Sequence, residues 1–291
     1  MAMKYITKVK ANLEIATNKK TSNILNGSHN SLYKGKSMNF EDLREYVIGD
    51  NVKDIDWKAS ARSNKILIKQ YKAEKKHNVL FILDTGKKML ADTRDLDSKK
   101  DVALMAIGTI AYLVDKHGDS ISAIYNGQKN IKLFPFKTGL YNIENILSSY
   151  EKNIGTEHEE NIENLITYVL KFIRRKMIIF IVTDIDGMSS ISEETLRKLS
   201  LLHDVMFINI SDAFMTGYNA YDIDSDRYIP DFILEDEKMK DIELEIKTKV
   251  YDETKARFKK YKISTTTINR QTDIVNDMFK LLERHRYANI R

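Results

Sequence analysis

The stretch Val79-Leu80-Phe81-Ile82-Leu83-Asp84-Thr85-Gly86-Lys87-Lys88-Met89 decides the fold class of this 291-residue chain. Five consecutive apolar residues followed by an acid and a glycine read as a strand buried on both faces that ends in a polar loop. Two more runs of this kind follow, Met177 to Val182 and Val205 to Ile210. Between them lie segments with helical periodicity. Residues 99–117 put Val102, Met105, Ala106, Ile110, Leu113 and Val114 on one stripe, with Gly118 placed to end the helix. Ile121 to Tyr125 and Ile131 to Phe136 read as strands joined through Asn126-Gly127, a hairpin signal. Helices are expected near 139–150 and 159–174, from Ser192-Glu193-Glu194-Thr195 onward, over 236–262 and over 272–287, with a short strand at Ile263 to Ile268. Strands alternating with helices predict an α/β fold with a doubly wound, mainly parallel sheet covered on both faces.

Residues 1–76 are different, with weak alternation and several turn signals. We read them as a small β-rich module, with 77–291 as the α/β domain. The net charge of +5 is unevenly spread. The first 76 residues hold 16 Lys and Arg against 8 Asp and Glu, and the remainder carries a net −3. Such a basic segment suits nucleic acid, anionic lipid or an acidic protein, but a solvated lysine-rich face is the plainer reading.

Composition narrows the class. With 42% hydrophobic and 31% charged residues and only 2 Pro, the chain is an ordinary globular mixture. No apolar run approaches the roughly 20 residues of a membrane helix. The N-terminus lacks the pattern of a secretory signal, so a cytoplasmic location is expected. The absence of Cys rules out disulfides, thiolate metal sites and a Cys nucleophile. The segment Asn30 to Ser37 looks like the end of a phosphate-binding loop, but Asn30 stands where that loop needs Gly, so ATP binding is rejected. The six histidines have no metal-ligand spacing.

Oxygen-bearing residues at strand ends and in a loop remain. Asp84 follows the first buried strand, Asp184 follows the second, and Thr156 lies in the loop between them. Together they can converge on a hard cation such as magnesium. Equally, the two aspartates can simply cap the helices that follow.

This arrangement resembles the von Willebrand A domain, whose metal-ion-dependent adhesion site combines Asp-x-Ser-x-Ser with a distant Thr and a distant Asp. Asp84, Thr156 and Asp184 fall on the Asp, Thr and Asp positions; Gly86 and Lys88 fall on the two serines. A second resemblance runs through residues 27–77: Gly-Ser-His-Asn-Ser, Lys34-Gly35, then Phe40 to Tyr46 with Arg44-Glu45-Tyr46, then Gly49-Asp50-Asn51-Val52-Lys53-Asp54-Ile55-Asp56-Trp57, then Ala61-Arg62. It is similar to the bacterial domain of unknown function 58 family, in which such a module precedes a von Willebrand A-like domain. The resemblance implies a non-enzymatic adaptor that works with a MoxR-type AAA+ ATPase and a client protein in stress response or protein-complex maturation.

The departures from the adhesion site have physical meaning. Gly86 offers no ligand, and Lys88 brings a positive charge toward a cation's position, so impaired metal binding is expected and no cofactor. Two placements of Lys88 stay open: its ammonium sits between Asp84 and Asp184, or it points to solvent. In the module, Asp50, Asp54 and Asp56 are expected to pair with Arg44 and Arg62, and Trp57, the single Trp, to pack between module and sheet. The competing functions are a metal-dependent hydrolase or nuclease using Asp84, Asp184 and Asp186, and binding of nucleic acid or an anionic membrane.

Overall fold

A computed structural model describes residues 3–16, 42–70, 76–155, 161–216, 221–222, 227–228 and 236–289. Thr156, His158 and the phosphate-loop-like segment Asn30 to Ser37 lie outside them.

The centre is a six-stranded sheet. Its strands are β3 (Asn78–Leu83), β4 (Ser120–Asn126), β5 (Ile131–Leu133), β6 (Ile178–Thr183), β7 (Asp204–Ile210) and β10 (Ser264–Ile268), in the order β10-β7-β6-β3-β4-β5. All neighbours are parallel except β4 and β5, which form the antiparallel hairpin marked by Asn126-Gly127. The mainly parallel, doubly wound sheet read from the sequence is therefore what forms.

Both faces are covered, which explains the uninterrupted apolar runs. Successive side chains of β3 go to opposite sides. Val79, Phe81 and Leu83 join one core, and Leu80 and Ile82 join the other. The first core is closed by α3 (Lys99–Lys116), α4 (Leu140–Glu151) and α9 (Ile274–Asn289); the second by α5 (Ile162–Phe172), α7 (Glu193–Leu202) and Phe258 of α8 (Glu237–Lys260). A short helix, α6 (Ile185–Ser189), follows β6 directly. Strands β8 (Tyr221–Asp222) and β9 (Arg227–Tyr228) form a minimal ribbon. Among the described residues no helix is long and apolar enough to cross a membrane.

The N-terminal quarter departs from the single β-rich module expected over 1–76. Residues Lys4–Ala16 form a helix, α1, whose Tyr5, Ile6, Val9 and Leu13 are buried in the first core. Their spacing is helical, but the short stripe sits in a lysine-rich segment that masks it. Burial of Ile6, Val9 and Leu13 contributes roughly 1.5–3 kcal/mol each. Two further devices hold α1 in place. The Glu144 carboxylate accepts hydrogen bonds from the backbone N–H of Tyr5 and Ile6, at 3.1 and 3.0 Å. Gly108 of α3 lets the helices close up, since a Cβ there would stand 2.7 Å from Val9 Cγ2.

The smaller unit spans residues 42–70. Strand β1 (Asp42–Glu45) pairs antiparallel with β2 (Leu67–Gln70), and helix α2 (Trp57–Ser63) lies between them in the chain.

Candidate functional site at the strand ends

In parallel sheets with helices on both sides, ligands gather beyond the C-terminal ends of the strands. Three strands of this sheet end in an acid there: Asp84 after β3, Asp184 after β6 and Asp212 shortly after β7. Asp84 and Asp184 each accept a hydrogen bond from a backbone N–H a few residues on. Asp84 Oδ1 accepts from the Gly86 N–H at 2.8 Å, and its Oδ2 accepts from the Thr183 hydroxyl at 2.6 Å. Asp184 caps α6, with Oδ1 accepting from the Gly187 N–H at 2.9 Å. Gly187 is required there, because a Cβ would lie 2.0 Å from the Thr183 hydroxyl. Beneath the loop, the hydroxyl of fully buried Tyr150 donates to the Asp84 carbonyl at 2.6 Å. Burial above all pushes that phenol well above its usual pKa, with help from the Asp84 charge.

Lysine 99 joins the acids. It is 1% exposed, and its ammonium lies 3.3 Å from Asp184 Oδ2 and in direct contact with Asp212 Oδ1. Burial raises the Asp212 pKa, the Lys99 charge opposes that rise, and the Asp184 and Asp186 charges add to it. Lys99 occupies the first turn of α3, where the helix dipole disfavours a cation. The two carboxylates offset that penalty and the cost of taking the ammonium out of water.

Lys88 goes elsewhere. Its ammonium reaches outward to Asp186 Oδ2 at 2.5 Å, and both side chains are more than half exposed. Of the two placements the sequence leaves open, the solvent-facing one is found. Thus Asp84, Gly86, Asp184 and Asp186 come together at one edge, Lys88 sits on its rim, and Thr156 lies outside the described residues.

These residues do not fit a divalent metal. Magnesium demands near-octahedral oxygen ligation. Here Gly86 contributes no oxygen, both Asp84 oxygens already accept hydrogen bonds, and the Lys99 ammonium is seated on Asp184. Among the described residues no group of three or more His, Asp or Glu is placed to hold a metal ion.

The module motif is a set of local locks. Arg44 forks onto Asp50 at 2.6 and 2.7 Å, and that pairing, with the Val47 N–H, holds the Asp50 carboxyl below its usual pKa. Asp56 caps α2 through the Lys58 and Ala59 N–H groups, and the Ala59 bond leads in lowering its pKa. Gly49 has φ +110°, open only to glycine without strain. The Tyr46 N–H donates to the Ile66 carbonyl at 2.9 Å. Asp54 closes a 3-10 turn over Val52–Asp54. Of the expected arginine pairings only Arg44–Asp50 forms among the described residues: Asp54 and Arg62 make no ion pair there and Asp56 faces Lys69 at 3.7 Å. Trp57 is 65% exposed rather than packed against the sheet. Trp57 is the first residue of the short helix α2.

A family model described as "Protein of unknown function DUF58" matches residues 42–215, from this module through the strand-end acids. The chain belongs to the DUF58 family. It is 25% identical over 127 residues to the uncharacterized protein Rv1480 of Mycobacterium tuberculosis and to the uncharacterized protein Mb1516 of Mycobacterium bovis. Those matches cover 44% of this chain and 40% of each relative, so the chain spans well under half the length of the curated relatives it matches. Similar solved structures include BatB from Bacteroides thetaiotaomicron, at TM-score 0.42 and 14% identity, covering 70% of this chain and 98% of that one. A von Willebrand factor type A structure from Catenulispora acidiphila follows at TM-score 0.41 and 7% identity, covering 73% and 43%. The DUF58 chain is an α/β protein with a mainly parallel, doubly wound sheet.

Sequence reasoning missed Lys99, Thr183 and Asp212. Two signals for them were present: a Lys pair in the first turn of α3, against the helix dipole, and the recurrence of Asp just past the parallel strands.

Proposed function

We propose that this DUF58 protein is a non-enzymatic interaction adaptor, and that its strand-end cluster is a degenerate metal-ion-dependent adhesion site. The observation that carries this reading is Lys99, buried on Asp184 and Asp212. A hydrolase built on these acids needs a general base or an open metal position. Here the carboxylates are engaged by Lys99, by backbone N–H groups and by the Thr183 hydroxyl. Such a site can present a surface to a partner, but it lacks the loose proton acceptor that a hydrolase or nuclease based on Asp84, Asp184 and Asp186 requires.

The proposed partner is a MoxR-type AAA+ ATPase, with a client protein as the second ligand, in the cytoplasm and in stress response or protein-complex maturation. The family resemblance supports this pairing. Nucleic acid and anionic membrane are disfavoured, because several basic groups of residues 42–70 already face acids, as Arg44 does with Asp50 and Lys65 with Glu45. Affinity purification of the full chain from its native cell tests the reading. The expected result is an AAA+ ATPase that stays bound in EDTA. Recovery of no ATPase under gentle conditions, or phosphodiester or peptide hydrolysis by the pure protein that Asp84→Ala abolishes, overturns it.

A further inference from the structure

Beside the Lys99 cluster, at the C-terminal ends of β7 and β10, lies a cleft of about 370 Å³. Its floor is Asn209 of β7 and Thr267 of β10, which are register partners, and its far wall is one face of α8 through Leu244, Lys247 and Tyr251. The volume lies within the ~300–1,000 Å³ typical of ligand sites, and the position beyond parallel strand ends is the usual one for this architecture.

Two polar side chains lining the cleft, among the described residues, have a group with no hydrogen-bond or ion-pair partner there. Asn209 is 4% exposed, and its Oδ1 has no hydrogen-bond donor among the described residues. The amide orientation follows from its neighbours: Nδ2 donates to Thr267 Oγ1 at 3.2 Å, while that hydroxyl donates to the Tyr251 oxygen at 3.5 Å. A buried carbonyl oxygen of this kind is nearly always satisfied. The second group is Arg94, whose guanidinium lies 5.0 Å from the centre of the Phe214 ring and pairs with no carboxylate among the described residues. The other charged groups lining the cleft are committed. Lys247 pairs with Glu243 at 2.7 Å and donates to the Ala213 carbonyl, and Asp212 holds Lys99.

A planar guanidinium matches a carboxylate, and a buried amide oxygen matches an N–H donor. An acidic residue within a peptide carries both, with its backbone N–H a few ångströms from its carboxylate. We propose that this cleft binds an acidic peptide segment of a partner protein, with Arg94 taking the Asp or Glu side chain, Asn209 Oδ1 taking a backbone N–H and Phe214 and Tyr251 supplying the walls. The inference rests on the reading of this edge as a binding surface and adds the chemistry of what binds there.

Titration of the 15N-labelled full chain with the capped peptide Ac-Gly-Asp-Gly-NH2 tests it, with Ac-Gly-Asn-Gly-NH2 and acetate as comparison ligands. Saturable shifts are expected at Arg94, Asn209 and Thr267, with affinity falling at least about tenfold for the Asn peptide and for Arg94→Gln. Arg94→Lys, which keeps the charge and loses the fork, is expected to fall between. Arg94 is a surface side chain, so these variants fold. The inference is overturned if Arg94→Gln binds the Asp peptide as the parent does, if no saturable shifts occur, or if acetate binds as tightly as the peptide. The parent failing to bind the peptide while still retaining the ATPase removes the cleft and leaves the adaptor reading standing. An Arg94→Gln chain that keeps the ATPase but loses the peptide supports the cleft as a separate client-side site.

Discussion

The strand-end cluster of the α/β body and the module at residues 42–70 are both dense in charge, yet they handle it in opposite ways. In the body, Lys99 and Asp184 are almost wholly withdrawn from water and neutralise each other. In the module, Arg44–Asp50 and Lys65–Glu45 stay in solvent, and large apolar side chains join them there: Ile48 is 96% exposed and Trp57 65%. Removing one partner from a buried pair strands a charge, whereas an exposed pair loses little because water replaces the partner. The contrast separates residues that hold the fold from residues free to meet something else.

The strongest way to break that contrast is at Lys99. Lys99→Met leaves the buried Asp184 and the partly exposed Asp212 without their cation, and the expected loss is about 3 kcal/mol in urea unfolding. The same substitution opens an acidic pocket, so saturating manganese is expected to raise the midpoint of the variant and leave the parent unchanged. A variant as stable as the parent would show that the cluster is not withdrawn from water. A smaller effect is expected at Glu144, whose carboxylate receives the first N–H groups of α1. Glu144→Gln should cost about 1–2 kcal/mol, with faster amide exchange confined first to residues 4–16. Uniform exchange across the body would deny α1 its local anchor. The smallest effect belongs to the module. Trp57→Ala is expected to change stability by under ~0.5 kcal/mol. As the single Trp, residue 57 should also be quenched by acrylamide nearly as well in the folded chain as in urea. Protection from quenching would place the ring in a packed interface.

How much of this was legible beforehand follows from the range of the forces involved. Strands β3, β6 and β7 announce themselves because burial on both faces demands an unbroken apolar run. The hairpin at Asn126-Gly127 and the long helix α8 were equally plain, since turn chemistry and helical periodicity are local. Lys88 was a candidate for the site's cation because it falls on the second serine of the adhesion-site pattern, and its direction stayed open. The buried cation is Lys99, brought there by a helix that the loop's own sequence says nothing about, and only its conflict with the helix dipole hinted at the role. Helix α1 was missed for a related reason: its four buried positions are spaced correctly, but the lysines among them resemble the basic segment that follows. Trp57 was assigned to an interior by residue type, and type alone does not fix which way the first residue of a short helix projects.

Helix α1 also has a mechanical consequence. In the sequence the module at 42–70 lies between α1 and β3, so a force on it reaches the body through both elements. Tension applied to the module reaches β3 along the strand, where ladders to β4 and β6 on both sides resist in shear. On the other side it peels α1 one turn at a time, starting from Leu13, against side-chain packing and the Glu144 clasp at its far end. The helix gives way first. A motor that pulled on the module would strip α1 from the first core and uncover its seat on α3 and α4 while the sheet stayed whole.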